Sequence, residues 1–178
     1  MLILDTKKVT KRFGGLTAVN QVSMQVEEGQ VYGLIGPNGA GKSTFINSIV
    51  GRFPPTEGVV YFNGEETTGL SAEIMCHKGM ARTFQIPRPF PQLTVLENVK
   101  VGVIFGSVDK DPMPADERAR EILKFVDFNL PIDTPADRLN AVQLKSIDLA
   151  RALACKPKLL LLDELASGLT PGKLDTIM

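Results

Sequence analysis

The run Gly36-Pro37-Asn38-Gly39-Ala40-Gly41-Lys42-Ser43-Thr44 satisfies the pattern G-x-x-x-x-G-K-[ST] and stands where that pattern has physical meaning. Before it, Val31-Tyr32-Gly33-Leu34-Ile35 reads as a short buried strand; after it, Phe45-Ile46-Asn47-Ser48-Ile49-Val50 reads as a helix ending near Gly51. Strand, glycine loop and helix are the order that builds an anion cradle. Glycines let successive backbone N–H groups turn toward one anion, and the helix start adds unpaired amides and the positive end of its dipole. Lys42 supplies a point charge for terminal phosphates, and the Ser43 hydroxyl suits Mg²⁺, a hard ion that takes oxygen ligands. The expected ligand is a nucleoside triphosphate with Mg²⁺.

Size and composition narrow the setting. A chain of 178 residues with 43% apolar residues can bury one substantial core with a smaller appended lobe. Twenty basic and twenty acidic residues cancel, so net charge gives no reason to expect nucleic acid or an anionic membrane surface as partner. Apolar runs such as Leu159-Leu160-Leu161-Leu162 are strand-sized, far below the roughly 20 residues that span a bilayer, so no direct membrane insertion is expected. The start, Met1-Leu2-Ile3-Leu4-Asp5, lacks the features of a secretion signal, which makes the cytoplasm the expected compartment. Cys76 and Cys155 lie far apart with no Cys-x-x-Cys spacing, so they read as isolated, reduced thiols without assigned chemistry. His77, the single histidine, reads as a surface or packing residue.

Along the chain, apolar positions at Leu2-Ile3-Leu4, Val9, Val19, Val22, Met24 and Val26 alternate with polar ones, predicting antiparallel hairpins. Glu28-Gly29 marks a turn, and Gly58 to Phe62 followed by Asn63-Gly64 is a hairpin signal. Ser71 to Lys78 reads as a short helix and Met80 to Gln85 as a strand running into the prolines at 87, 89 and 91, which no central strand or helix tolerates. A lobe boundary is expected there. Helical periodicity begins at Thr94, with Val95, Leu96, Val99 and Val103 on one side, and the loop Asp109 to Pro114 closes that element. It resumes with Ala119, Ile122, Leu123 and Val126 behind Asp116-Glu117, and again from Leu144 and Ile147 to Ala154 before Lys156-Pro157. The expected division is a core of 1–89 with 156–178 and a helical insert of 90–155.

Four leucines followed by Asp163 and Glu164 have the form of a fully buried parallel strand, paired beside the phosphate-loop strand, that delivers two carboxylates to the ligand edge of a sheet. Asp163 is placed to hold the Mg²⁺ shell, and Glu164 to orient or deprotonate an attacking water.

In this order of motifs the chain resembles the ATP-binding subunits of ATP-binding-cassette transporters over nearly its whole length. The resemblance implies an α/β P-loop NTPase fold: a RecA-like core with an N-terminal antiparallel β part and a helical subdomain, truncated at its C-terminal end. It implies adenine stacking on Phe13 beside Val19, and a lobe-joining role near Mg²⁺ for Gln85. Leu139-Asn140-Ala141-Val142-Gln143 aligns with the family's signature, which grips the γ-phosphate held by a second subunit, and Ser167-Gly168-Leu169-Thr170 with the loop that crosses to that subunit. Phe13-Gly14-Gly15-Leu16-Thr17-Ala18-Val19-Asn20, Arg82-Thr83-Phe84-Gln85 and Leu93 to Val99 are similar to the branched-chain amino-acid importer branch. The implied partners are a second ATP-binding subunit, identical or different, and integral membrane permease subunits reached from the inner face of the membrane.

Three departures modify that expectation. The signature has lost both glycines, and the β-branched Val142 restricts backbone approach, although Asn140 can cap the helix as serine does. Leu165 stands where the family has proline, and Thr170 where it has aspartate or asparagine. The chain stops at Met178, before the segment that carries the family's switch histidine, and His77 lies far upstream. The resulting expectation is a chain that binds ATP and hydrolyses it slowly unless paired with a subunit bearing an intact signature. A fragment of a longer protein, a soluble non-transport ATPase of the same family and an ATP-binding pseudoenzyme are the alternatives that the sequence leaves open.

Overall fold

A computed structural model of the chain describes residues 1–108 and 111–162. The described residues divide into two compact units, Met1–Met75 and the residues from Cys76 onward.

The first unit is built on an antiparallel sheet. Strands β1 (Leu2–Phe13) and β2 (Leu16–Glu27) form a long hairpin, and β3 (Glu57–Phe62) and β4 (Glu65–Glu66) extend the sheet in the order β2-β1-β3-β4. The alternating pattern buries Leu4, Val9, Val19, Val26, Val60 and Phe62. Full burial of Phe62 is worth about 2–3 kcal/mol. The β1–β2 register shifts between Thr6 and Val9 and again before Lys11. There the buried Thr6 and Thr10 hydroxyls accept from the Met24 and Gln21 amides at 2.9 and 3.0 Å, replacing ladder bonds that the irregularity removes. Asn63-Gly64 forms the expected hairpin turn, with φ of 51° and 80°.

Helix α1 (Lys42–Ile49) turns Phe45 and Ile49 into this core and packs on β1 and β2. It ends at the expected place. Gly51 takes φ +77°, and the Arg52 amide reaches back to the Asn47 carbonyl at 3.0 Å. The run Val31 to Ile35 departs from expectation: it forms no strand and has no ladder partner among the described residues, and Ile35 is 93% exposed. An apolar run becomes a strand only when neighbours accept and donate its backbone hydrogen bonds, and five residues of sequence cannot supply those neighbours.

The second unit follows α2 (Ala72–His77), in whose course the chain passes from one unit to the other. It contains β5 (Met80–Arg82), α3 (Val95–Phe105), α4 (Ala115–Phe125), a 3₁₀ turn at Ala136–Arg138, α5 (Ala141–Ala154) and β6 (Leu159–Leu161). The periodic residues named from sequence make one core: Val95, Leu96 and Val99 from α3 meet Ala119, Leu123, Val126, Ile147, Ala150 and Ala154. Thr94 and Glu97 close a reciprocal cap on α3, with the Glu97 amide donating to Thr94 Oγ1 at 3.2 Å and the Thr94 amide to Glu97 Oε2 at 2.8 Å.

Strands β5 and β6 pair in parallel, Met80 opposite Leu159 and Arg82 opposite Leu161. Two expectations are corrected here. The strand read as reaching Gln85 stops at Arg82, with one further bond from the Thr83 amide to the Leu161 carbonyl at 3.0 Å, because the chain then bends toward the proline run. Leu159 to Leu162 are half-buried rather than fully buried, and β6 pairs with β5 rather than with the residues before the phosphate loop.

Both thiols are free, as expected, but the fold brings them to one place. Cys76 and Cys155, isolated in sequence, both border Gly106 in the fold: Cys76 Sγ donates to the Gly106 carbonyl at 3.4 Å, and a Cβ at Gly106 would stand 2.4 Å from Cys155 Sγ. His77 packs there too, with Nε2 3.1 Å from the Phe105 carbonyl oxygen.

Candidate functional site

The phosphate loop is shaped by two left-handed glycines. Gly39 and Gly41 have φ of +82° and +86°, and the Ala40 amide closes the turn on the Pro37 carbonyl at 3.2 Å. Gly41 is doubly constrained. A Cβ there would stand 2.2 Å from the Ala18 carbonyl oxygen and 3.4 Å from Val19 Cγ2, so the loop is seated on β2 at the point where only hydrogen fits. Val19 is itself buried, which makes it the floor under the loop.

Gly41 is also the N-cap of α1, and no side chain caps the helix there. The first-turn amides and the dipole therefore face a loop whose residues 31–40 are exposed. Lys42 lies back across its own loop, donating from Nζ to the Gly36 and Pro37 carbonyls at 2.7 and 2.9 Å. An ammonium held by neutral carbonyls is available to an anion that offers stronger, charge-assisted bonds. Asn38 and Ser43 are exposed and Thr44 is half-buried, its carbonyl accepting from the Ser48 hydroxyl at 3.1 Å. Positive-φ glycines, an uncapped helix start and an adjacent lysine fit a polyphosphate.

Phe13 ends β1 beside the hairpin tip. Its ring is half-exposed and meets Phe53 edge-on at 5.4 Å, while Lys11 Nζ stands 5.2 Å from the Phe13 centroid and donates to the Pro54 carbonyl at 2.7 Å. Core packing does not explain that position. Phe13 pairs with Leu16 across the hairpin, and two residues beyond Leu16, Ala18 carries Gly41, so the aromatic edge and the phosphate loop share one support.

In the second unit, Gln85 lies in the exposed bend after β5. Three side chains that the sequence did not single out hold the segment around it. The Phe84 amide donates to Asp148 Oδ2 at 2.7 Å, and Arg151 donates to the Arg88 carbonyl at 2.7 Å while stacking 4.9 Å from the Phe90 ring. Asn98, fully buried, accepts from the Phe90 amide at 2.8 Å and donates to the carbonyls of Phe90, Leu93 and Thr94. Burial pushes the Asp148 carboxyl above the usual carboxylate range, against the opposing pull of the Phe84 amide and the Arg151 and Arg82 charges. The signal available in sequence was a polar residue inside a helical apolar stretch, Asp148 between Ile147 and Leu149, but periodicity alone does not tell a buried anchor from a solvated face.

The segment aligned with the signature opens α5. Asn140 is its N-cap: Asn140 Oδ1 accepts from the Gln143 amide at 3.0 Å, and Gln143 Oε1 accepts from the Asn140 amide at 2.9 Å. The expected capping role of Asn140 is thus present. Leu139 is buried, Ala141 is exposed, and Val142 projects outward at 57% exposure. Asp163, Glu164 and the crossing-loop residues Ser167 to Thr170 lie outside the described residues.

Comparison with known proteins agrees with this arrangement. The family described as ABC transporter matches residues 19–167. A probable branched-chain amino acid transport ATP-binding protein, LivG, from Archaeoglobus fulgidus is 39% identical over 96% of this chain and 70% of its own. The high-affinity branched-chain amino acid transport ATP-binding protein BraF of Pseudomonas aeruginosa is 37% identical over 98% of the chain and 74% of its own. The ribose import ATP-binding protein RbsA of Streptococcus agalactiae is 30% identical over 98% of the chain and 36% of its own. Among solved structures, a nucleotide-free ATP-binding cassette from an ABC transporter matches at TM-score 0.81 and 36% identity, covering 99% of this chain and 74% of that one. A dimeric cassette in a post-hydrolysis state with ADP and phosphate matches at TM-score 0.84 and 30% identity, covering 98% and 79%. By its phosphate loop and these matches, the chain belongs to the ATP-binding cassette family, the ATPases that power ABC transporters.

Proposed function

We propose that the chain drives import of branched-chain amino acids as the ATP-binding subunit of a transporter. The observation that carries the nucleotide step is the uncapped start of α1 at Gly41, seated on Ala18 and Val19, with Lys42 poised over the loop. Gly36 to Thr44 would hold the triphosphate, and Phe13 the adenine face. Ser43, Gln85 and Asp163 would stand around Mg²⁺, which when bound neutralises charge on the β- and γ-phosphate oxygens. Glu164 would orient the attacking water. Two such subunits would close on two nucleotides, Leu139 to Gln143 of each meeting the γ-phosphate held by the other. The core would comprise 1–89 with 156–178 and the helical subdomain 90–155, in keeping with the helices that run from Val95 to Ala154.

The partners are a second ATP-binding subunit and membrane permease subunits, and the exposed segment from Gln85 to Pro91 is where closure would be passed to them. Asp148, Arg151 and Asn98 support this reading, because they tie that segment to α5 and α3. The solute assignment is supported by the LivG and BraF likeness; the RbsA likeness keeps sugar import as the second reading. Membrane vesicles containing the permease partners decide between them. Leucine uptake that needs ATP and disappears with Lys42→Ala is the expected result, whereas uptake of ribose but not leucine would transfer the assignment to sugars.

A further inference from the structure

We propose that Cys76 and Cys155 are a peroxide-responsive dithiol that closes reversibly into an intramolecular disulfide. Both are unbridged and partly exposed. Cys76 sits on α2 with Sγ 3.4 Å from the Gly106 carbonyl oxygen, and Cys155 caps α5. Gly106, the C-cap of α3, separates nothing: a Cβ there would stand 2.4 Å from Cys155 Sγ and 2.8 Å from Cys155 Cα. The absent side chain is what allows both sulfurs onto the same residue, where Cys155 Sγ donates to the Arg151 carbonyl at 3.4 Å.

Their surroundings assign different roles. Interaction with Cys155 draws the Cys76 thiol down to about 7, with His77 adding to the effect and burial opposing it. The same interaction and burial push Cys155 up, against the Arg151 charge. Cys76 is therefore the nucleophile and Cys155 the resolving thiol. The oxidant is a hydroperoxide. The Cys76 thiolate attacks the peroxide oxygen, the O–O bond breaks, and for hydrogen peroxide the departing hydroxide takes a proton to leave as water, giving Cys76 sulfenic acid. The Cys155 sulfur then attacks the sulfenic sulfur, the S–O bond breaks, and a second water leaves with the thiol proton. Two thiols and one hydrogen peroxide give one disulfide and two waters, and a dithiol reductant reverses the change. The bond would join α2, which leads into β5 and Gln85, to the end of the helix that opens at Asn140.

The test treats the reduced full-length protein with hydrogen peroxide, then counts thiols, maps peptides without reduction and measures mass. Both thiols should disappear together in monomeric protein, with loss of two hydrogens, a Cys76–Cys155 peptide pair and full recovery in dithiothreitol. Cys76→Ser should slow peroxide consumption about tenfold or more. Cys155→Ser, which keeps the nucleophile, should halt at a Cys76 sulfenic acid that dimedone traps. Iodoacetamide labelling of Cys76 in that variant gives a second readout, with a rate that rises with pH as the thiolate forms. Independent oxidation of the two thiols, disulfides between molecules, or thiols inert to peroxide in folded protein but reactive once denatured would each overturn the proposal.

Discussion

Helices α1 and α5 begin in opposite ways, although each opens a segment that the family uses to meet phosphate. At α1 the N-cap is Gly41, with φ +86° and no side-chain acceptor, so nothing within the loop occupies the helix start. At α5 the N-cap is Asn140, and its carboxamide and that of Gln143 exchange hydrogen bonds with each other's backbone. An anion arriving at α1 finds amides already turned toward it. One arriving at α5 meets a sealed first turn with Val142 standing out from it. The difference separates stability from recognition: a side-chain cap contributes about 1 kcal/mol to a helix, and the same contact takes an amide that an anion would otherwise use.

The comparison can be broken most severely at Lys42. Lys42→Ala removes the ammonium but only two contacts to loop carbonyls, so hydrolysis of Mg²⁺-ATP should fall about 100- to 1,000-fold with the fold intact. Steady-state turnover beside circular dichroism checks this, and an unchanged rate would remove the phosphate loop from the mechanism. Next comes the seat of the loop. Gly41→Ala must place a methyl 2.2 Å from the Ala18 oxygen at φ +86°, which should lower stability by about 2–4 kcal/mol, while Gly39→Ala meets open space and carries only the conformational cost of about 1–2 kcal/mol. Urea unfolding of both variants tests whether position or conformation dominates.

Smaller effects sharpen the α5 side. Asn140→Ser, Ala141→Gly and Val142→Gly together restore a serine cap and bare backbone, and should raise turnover roughly tenfold, about 1.4 kcal/mol. No increase with dimerisation intact would show that the altered signature does not limit the rate. The last change concerns stability and its pH dependence, at Asp148. Its carboxyl is raised in the fold, so the stability it contributes is greatest below the unfolded carboxylate range and declines as pH rises through the folded value. Asp148→Asn keeps an acceptor for the Phe84 amide and should flatten that dependence by about 1 kcal/mol or less. Asp148→Ala leaves the amide unmatched and should cost about 1–3 kcal/mol. Urea midpoints across pH 4 to 8 distinguish the two variants.

Local patterns were the most legible. Hairpin alternation, the Asn63-Gly64 turn, the Gly51 helix end and the stripe Ala119, Leu123 and Val126 all depend on residues close in sequence, and each is present. The phosphate loop was legible for the same reason: its glycines, lysine and helix are contiguous. Val31 to Ile35 was misread because strand formation depends on distant pairing. Asp148, Asn98 and Arg151 were passed over because their partners at Phe84, Phe90 and Arg88 belong to other elements.

Sequence by itself determined the chemistry that fits in one short stretch: which backbone turns toward an anion, where each helix starts and stops, and which family the order of motifs matches. Tertiary structure decided what depends on separate stretches meeting. Gly41 is constrained because β2 lies beneath it, Asp148 matters because β5 ends beside it, and Cys76 and Cys155 meet because Gly106 leaves room for both sulfurs. Backbone conformation is fixed by near neighbours, whereas proximity between distant residues exists only once the chain has folded.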